Sequence, residues 1–147
     1  MQIQAPLIKS EAQEAPALGG VMKKSESELK VITESKRLTE YIMTISEKSP
    51  KKYRYTYVNR IHNLLFDIIE LLYKANNEVL GSSNRLMYQN DVYVKFQFLD
   101  YLCDLGCKEK CILFKQYENI TEMINTCMKL LSNWITSDKR RINNILG

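Results

Sequence analysis

Lys48-Ser49-Pro50-Lys51-Lys52-Tyr53-Arg54-Tyr55-Thr56-Tyr57-Val58-Asn59-Arg60 leads into an apolar-periodic run that continues to Asn76. Pro50 pushes the residue before it out of the α region, so a preceding helix must stop there. Beyond it, Tyr57, Ile61, Leu64, Ile68, Leu71 and Ala75 recur at spacings of four, three, four, three and four, which marks one face of an α-helix. The segment therefore sets a corner between two long helices. It also carries five cations and three tyrosines without a carboxylate, so a basic, aromatic surface is expected at that corner.

The rest of the chain reads outward from this corner. Before it, Val31, Leu38, Tyr41, Ile42 and Ile45 predict a first helix over Ser27–Glu47. The second helix is expected over Tyr53–Asn77. A further row on it, Val58, His62, Leu65, Ile69 and Leu72, with Phe66 and Tyr73 beside it, makes most of its circumference apolar. A helix of that kind must be covered on more than one side, so Val58, His62, Leu65, Phe66 and Ile69 are expected to form a subunit interface. Gly81-Ser82-Ser83-Asn84 is a turn before a third helix over Asn84–Leu105, with Tyr88, Val92, Phe96, Leu99 and Cys103 inward and Gly106 as its C-terminal cap. After a loop over Lys108–Phe114, Tyr117, Ile120, Ile124, Cys127, Leu131 and Trp134 predict a fourth helix over Lys115–Thr136. Connections this short place neighbours antiparallel. The expected fold is all-α, an antiparallel up-down four-helix bundle over residues 26–141, with a flexible leader or tag over 1–25 and a C-terminal tail over 142–147.

Composition is that of a single soluble domain. The chain has 147 residues, 45% hydrophobic and 26% charged, with five glycines and three prolines, and so offers few turns. Eighteen apolar residues never run together, which leaves no transmembrane helix. The first twenty residues hold Lys9, Glu11 and Glu14 and no apolar core, unlike a secretory signal; a cytoplasmic location follows as the expectation. Net charge is +4. The lysines and glutamates up to Ile32 cancel, so the excess lies in the bundle.

No enzymatic constellation is expected, and no cofactor. His62 is the only histidine and sits on an apolar face, where a packing role is the ordinary one. Asp100 and Asp104 lack the Glu-x-x-His companions of a carboxylate-bundle metal centre and read as solvent-facing charges. Cys103, Cys107, Cys111 and Cys127 contain no CxxC pair; reduced, partly buried thiols fit them better than a zinc site. The candidate binding residues are cations: Lys51, Lys52, Arg54 and Arg60 around the corner, and Lys139, Arg140 and Arg141 after helix four. Side chains of this type bind phosphates and displace counterions, and Tyr53, Tyr55 and Tyr57 offer faces for base stacking. In an up-down bundle the two groups lie at opposite poles.

Ser49-Pro50-Lys51-Lys52-Tyr53-Arg54-Tyr55, Asp104-Leu105-Gly106, Phe114-Lys115-Gln116-Tyr117-Glu118 and Met128-Lys129-Leu130-Leu131-Ser132-Asn133-Trp134-Ile135 occur in order over residues 33–140. In this the chain resembles the four-helix-bundle family of the accessory variability determinant of diversity-generating retroelements, related to bundle proteins encoded within bacterial large-subunit ribosomal RNA. The resemblance implies a homopentamer with a basic surface. Such a protein would bind a reverse transcriptase and its template RNA or cDNA and support mutagenic copying without catalysis of its own. The competing expectation is a bundle adaptor or assembly subunit that acts only through protein–protein contacts.

Overall fold

The structure is a computed structural model that describes residues 28–147; the expected leader over 1–25 and the expected helix start at Ser27 lie outside them. The described chain is all-helical, with no strand among its residues. Helix α1 spans Lys30–Ser46, α2 Asn59–Asn77, α3 Ser83–Lys108 and α4 Phe114–Leu146. Between α1 and α2 come a 3-10 turn, Lys51–Tyr53, and a π-helical turn, Arg54–Val58. None of these helices is long and apolar enough to cross a membrane.

One core joins all four helices. Ile32, Leu38 and Ile42 of α1, Leu64, Leu65, Ile68 and Leu72 of α2, Phe96 and Leu99 of α3 and Ile120, Ile124 and Leu131 of α4 are fully buried, each burial worth roughly 1.5–3 kcal/mol. α2 packs against both α1 and α3, and α4 against both as well. Ser35 donates to the Cys127 thiol at 3.7 Å, and the Asn119 amide donates to the Tyr41 hydroxyl at 3.1 Å, which tie α1 to α4. Ahead of α1, Glu28 accepts from Lys36 at 2.9 Å, from Thr33 at 2.8 Å and from Tyr73 at 3.3 Å, fastening the start of α1 to α2.

Three boundaries differ from expectation. The α-helical part of helix two starts at Asn59, because residues 54–58 wind as a π-turn. Such a turn accommodates an additional residue and so turns the face of Tyr57 relative to the α2 row. Gly106 is not a cap: α3 runs through it to Lys108, and the end is built by Lys110 in the left-handed region (φ 64°). There the amide of Cys111 donates to the Gly106 carbonyl at 2.8 Å and that of Lys110 to the Cys107 carbonyl at 3.1 Å, a Schellman closure. Finally, α4 continues to Leu146, so residues 142–146 are helical and not a tail. Thr136-Ser137-Asp138 reads locally as a polar helix end, but Asp138 is buried and held by α3, and the chain stays wound around it.

Candidate nucleic-acid interface

Pro50 opens the 3-10 turn at an extended ψ of 138°, and Lys51 and Lys52 follow, both exposed. The Arg54 guanidinium donates to the Glu47 carbonyl at 3.3 Å, leaning over the end of α1. The Lys52 ammonium sits 4.9 Å from the Tyr53 ring centroid. Arg60 points elsewhere, lying over the Phe98 ring of α3 at 5.2 Å. Lys51, Lys52, Arg54 and Arg60 form no salt bridge among the described residues. The charges of Lys51, Lys52 and Arg54 are thus unpaired at the corner, while Arg60 lies apart from them over Phe98.

The three tyrosines have separate roles. Tyr55 is 86% exposed. Tyr53 is half-buried and lines a cavity of about 460 Å³ between the corner and the end of α3. Tyr57 cannot stack on a base: it donates its hydroxyl to the Leu102 carbonyl, and its ring covers Gly106. Burial pushes the Tyr57 hydroxyl well above the ordinary tyrosine range, and the surrounding Cys103 and Cys111 thiols add to the shift.

Neither a known family model nor a curated protein matches this sequence.

Lys139, Arg140 and Arg141 lie on the last turns of α4 and are exposed. Arg141 is partly engaged, 3.6 Å from Asp138, whereas Lys139 and Arg140 form no salt bridge among the described residues. This group is not brought to the corner. Asp138 meets α3 at Arg85 and Tyr57 meets it at Leu102, about 25 Å apart at the α-helical rise.

The expected interface on α2 changes. Leu65 is 1% exposed and Val58 is buried within the single chain, because α1 and α3 together cover the wide apolar surface of α2. Leu65 thus offers almost no surface, whereas Val58 still lines a groove with Met43, Ser46 and His62. Phe66 remains 49% exposed, with Ile69 and His62 partly so. The His62 Nε2 is buried without a hydrogen-bond partner, and burial holds its pKa below the usual histidine value. A further outward apolar row lies on α3, where Met87, Val94, Phe98 and Tyr101 are all exposed on the side opposite Val92, Phe96 and Leu99.

Sequence reasoning missed the buried polar cluster at the other end of α3. Arg85 donates to Asp138 through Nε at 2.7 Å and Nη2 at 3.0 Å, and Gln89 adds a bond to Asp138 at 3.0 Å. Arg85 also donates to the Glu78 carbonyl at 3.0 Å and lies 5.2 Å from the Trp134 ring. Burial alone would raise the Asp138 pKa; the bonds from Arg85 and Gln89 outweigh it and hold the carboxyl below its ordinary value.

The thiols divide by burial. Cys103 is fully buried, and burial aided by Asp100 pushes its thiol up to about 12; burial takes Cys127 to about 11. Cys111 is partly exposed, its pKa raised by burial and by Glu109 and opposed by Lys52. Among the described residues no three His, Cys, Asp or Glu side chains are grouped to hold a metal ion.

Proposed function

We propose that this chain is an antiparallel up-down four-helix bundle that acts in the cytoplasm as a non-catalytic, oligomeric accessory protein, bridging a reverse transcriptase and its template RNA or cDNA. The helix contacts support the topology: residues 35 and 41 of α1 meet 127 and 119 of α4, and residues 85 and 100 of α3 meet 138 and 121 of α4. One observation carries the nucleic-acid role. Lys51, Lys52 and Arg54 precede the exposed Tyr55 with no carboxylate pairing them among the described residues, at a helix entrance where cations are unfavourable to the dipole. The motif resemblance over residues 33–140 supplies the reverse transcriptase and the pentameric state.

The test is RNA binding by K51A/K52A/R54A across a salt series. Loss of three phosphate contacts flattens the log–log salt slope by about 2 for a single strand. An unchanged slope and affinity would remove the corner from the interface.

The outward row Met87, Val94, Phe98 and Tyr101 favours a second reading, in which the bundle binds only proteins. Light scattering with and without RNA separates the two. The accessory role predicts an oligomer that gains mass with RNA; the adaptor predicts an oligomer indifferent to it. A monomer in both samples contradicts both.

A further inference from the structure

The cavity beside the cationic corner is lined by Tyr53, Thr56, Tyr57, Leu105, Glu109 and Cys111. Its volume, about 460 Å³, lies within the roughly 300–1,000 Å³ of small-molecule sites. One wall is an aromatic ring, Tyr53, with the Lys52 ammonium 4.9 Å from its centroid. Another is the closure of α3, where the Cys111 amide is turned back onto the Gly106 carbonyl. Thr56 and Glu109 are exposed and bring a hydroxyl and a carboxylate to a lining that is otherwise apolar. The cavity is thus mainly apolar with polar groups at its edge, and the Lys52 ammonium stands beside its Tyr53 wall, while Arg54 lies toward α1.

We propose that this cavity receives one unstacked nucleobase, so that the corner's ligand is single-stranded nucleic acid and not duplex. The inference rests on the nucleic-acid reading of the corner and adds the ligand class. Phosphates flanking the base meet Lys52 beside Tyr53 and the exposed Lys51, and Arg54 carries the cationic surface on toward α1. The base lies against Tyr53, with Thr56 and Glu109 available to its edge, and Tyr55 gives a neighbouring base an outer stacking face. A duplex presents phosphates but keeps its bases paired, so it engages the cations alone. Aromatic stacking tolerates any base, which suits a protein that follows a strand during copying.

The experiment compares a labelled mixed-sequence RNA strand, the DNA strand of the same sequence, and the duplex of each, at one salt concentration. The wild-type chain is expected to bind either strand about ten-fold tighter than its duplex, in keeping with the energy of one stacked base. The RNA-to-DNA ratio then says which strand is the better source of that base. Y53A removes the wall and T56W blocks the mouth from an exposed position; each should lower strand affinity about ten-fold and leave duplex affinity alone. Alkylation of Cys111, followed by mass spectrometry, should slow when the strand is bound and not when the duplex is. Equal affinity for strand and duplex, or variants that leave their ratio unmoved, overturns the inference. If K51A/K52A/R54A nonetheless weakens both forms, the corner remains the interface and only the cavity is excluded. If that triple variant binds as well as wild type, the nucleic-acid reading falls with it.

Discussion

Asp138→Ala is expected to destabilise the fold by about 3–5 kcal/mol, the largest effect of any single substitution considered for this chain. The carboxylate is 5% exposed and accepts from Arg85 twice and from Gln89 once. Alanine leaves the guanidinium of Arg85, a residue only 8% exposed, without its counter-charge at the edge of a small cavity of about 130 Å³. Arg85 keeps the Glu78 carbonyl at 3.0 Å, but a neutral acceptor does not replace the lost charge. Arg141, whose side chain is exposed, contacts Asp138 at 3.6 Å, and its removal should cost about 1 kcal/mol or less. Denaturant unfolding of D138A and R141A measures both. A D138A cost below that of R141A would show that the cluster is not a buried ion pair in solution.

The pair need not be worth much as a pair. Desolvating two charges consumes most of their attraction, so R85M/D138L, which removes both, is expected to recover most of the stability lost in D138A. The pH dependence separates the charge from the packing. Asp138 is held below its ordinary pKa when folded, whereas the unfolded side chain titrates near 3.9. Its stabilisation is therefore complete above about pH 4 and is lost as pH falls through the folded value. D138N, lacking that titration, should show a flatter acid limb than wild type. An acid limb of unchanged steepness in D138N would assign acid sensitivity to other groups.

This cluster also shows how far the sequence could be read. Of the expected inward row of α3, Val92, Phe96, Leu99 and Cys103 are buried, whereas Tyr88 is only half-buried at the edge of the core. Extended backward by three and four, the same row reaches Gln89 and Arg85. The seam of α4, Ile120 to Trp134, extended by four, reaches Asp138. The helical period thus contains all three polar residues, and opposite charges on facing rows were the available signal. A reading that follows hydrophobicity stops where polarity begins, and for that reason α4 was expected to end near Thr136. The corner was legible for a different reason, since Pro50 and the cation run act locally. Which cations and tyrosines stay free was not legible. It depends on Tyr57 turning onto α3 and Arg60 onto Phe98, contacts between segments over forty residues apart for Tyr57. The wide face of α2 was legible only in part: it says that more than one neighbour covers it, not whether those neighbours belong to the same chain.

Gly106→Ala tests the packing that shapes the candidate cavity, and its sign is the informative quantity. At an open helical position this change gains about 1 kcal/mol, because alanine is the better helix former. Gly106 is inside α3 and buried, and a Cβ built on it would overlap the Tyr57 hydroxyl and lie 2.7 Å from the ring carbon that bears it. The aromatic ring cannot flex away as a lysine chain would, and moving it breaks its bond to the Leu102 carbonyl, worth about 1 kcal/mol. Overpacking of this kind typically costs about 1–3 kcal/mol. The clash and the lost bond together exceed the propensity gain, so G106A should destabilise by about 2 kcal/mol. In a Tyr57→Ala background nothing occupies that space, and the same G106A change should turn stabilising by up to about 1 kcal/mol. The coupling between the two positions, near 3 kcal/mol, lies at the upper end of what contacting residues show. A Gly106→Ala effect of one sign in both backgrounds would mean that Tyr57 does not rest on this glycine and does not form that wall of the cavity beside the corner.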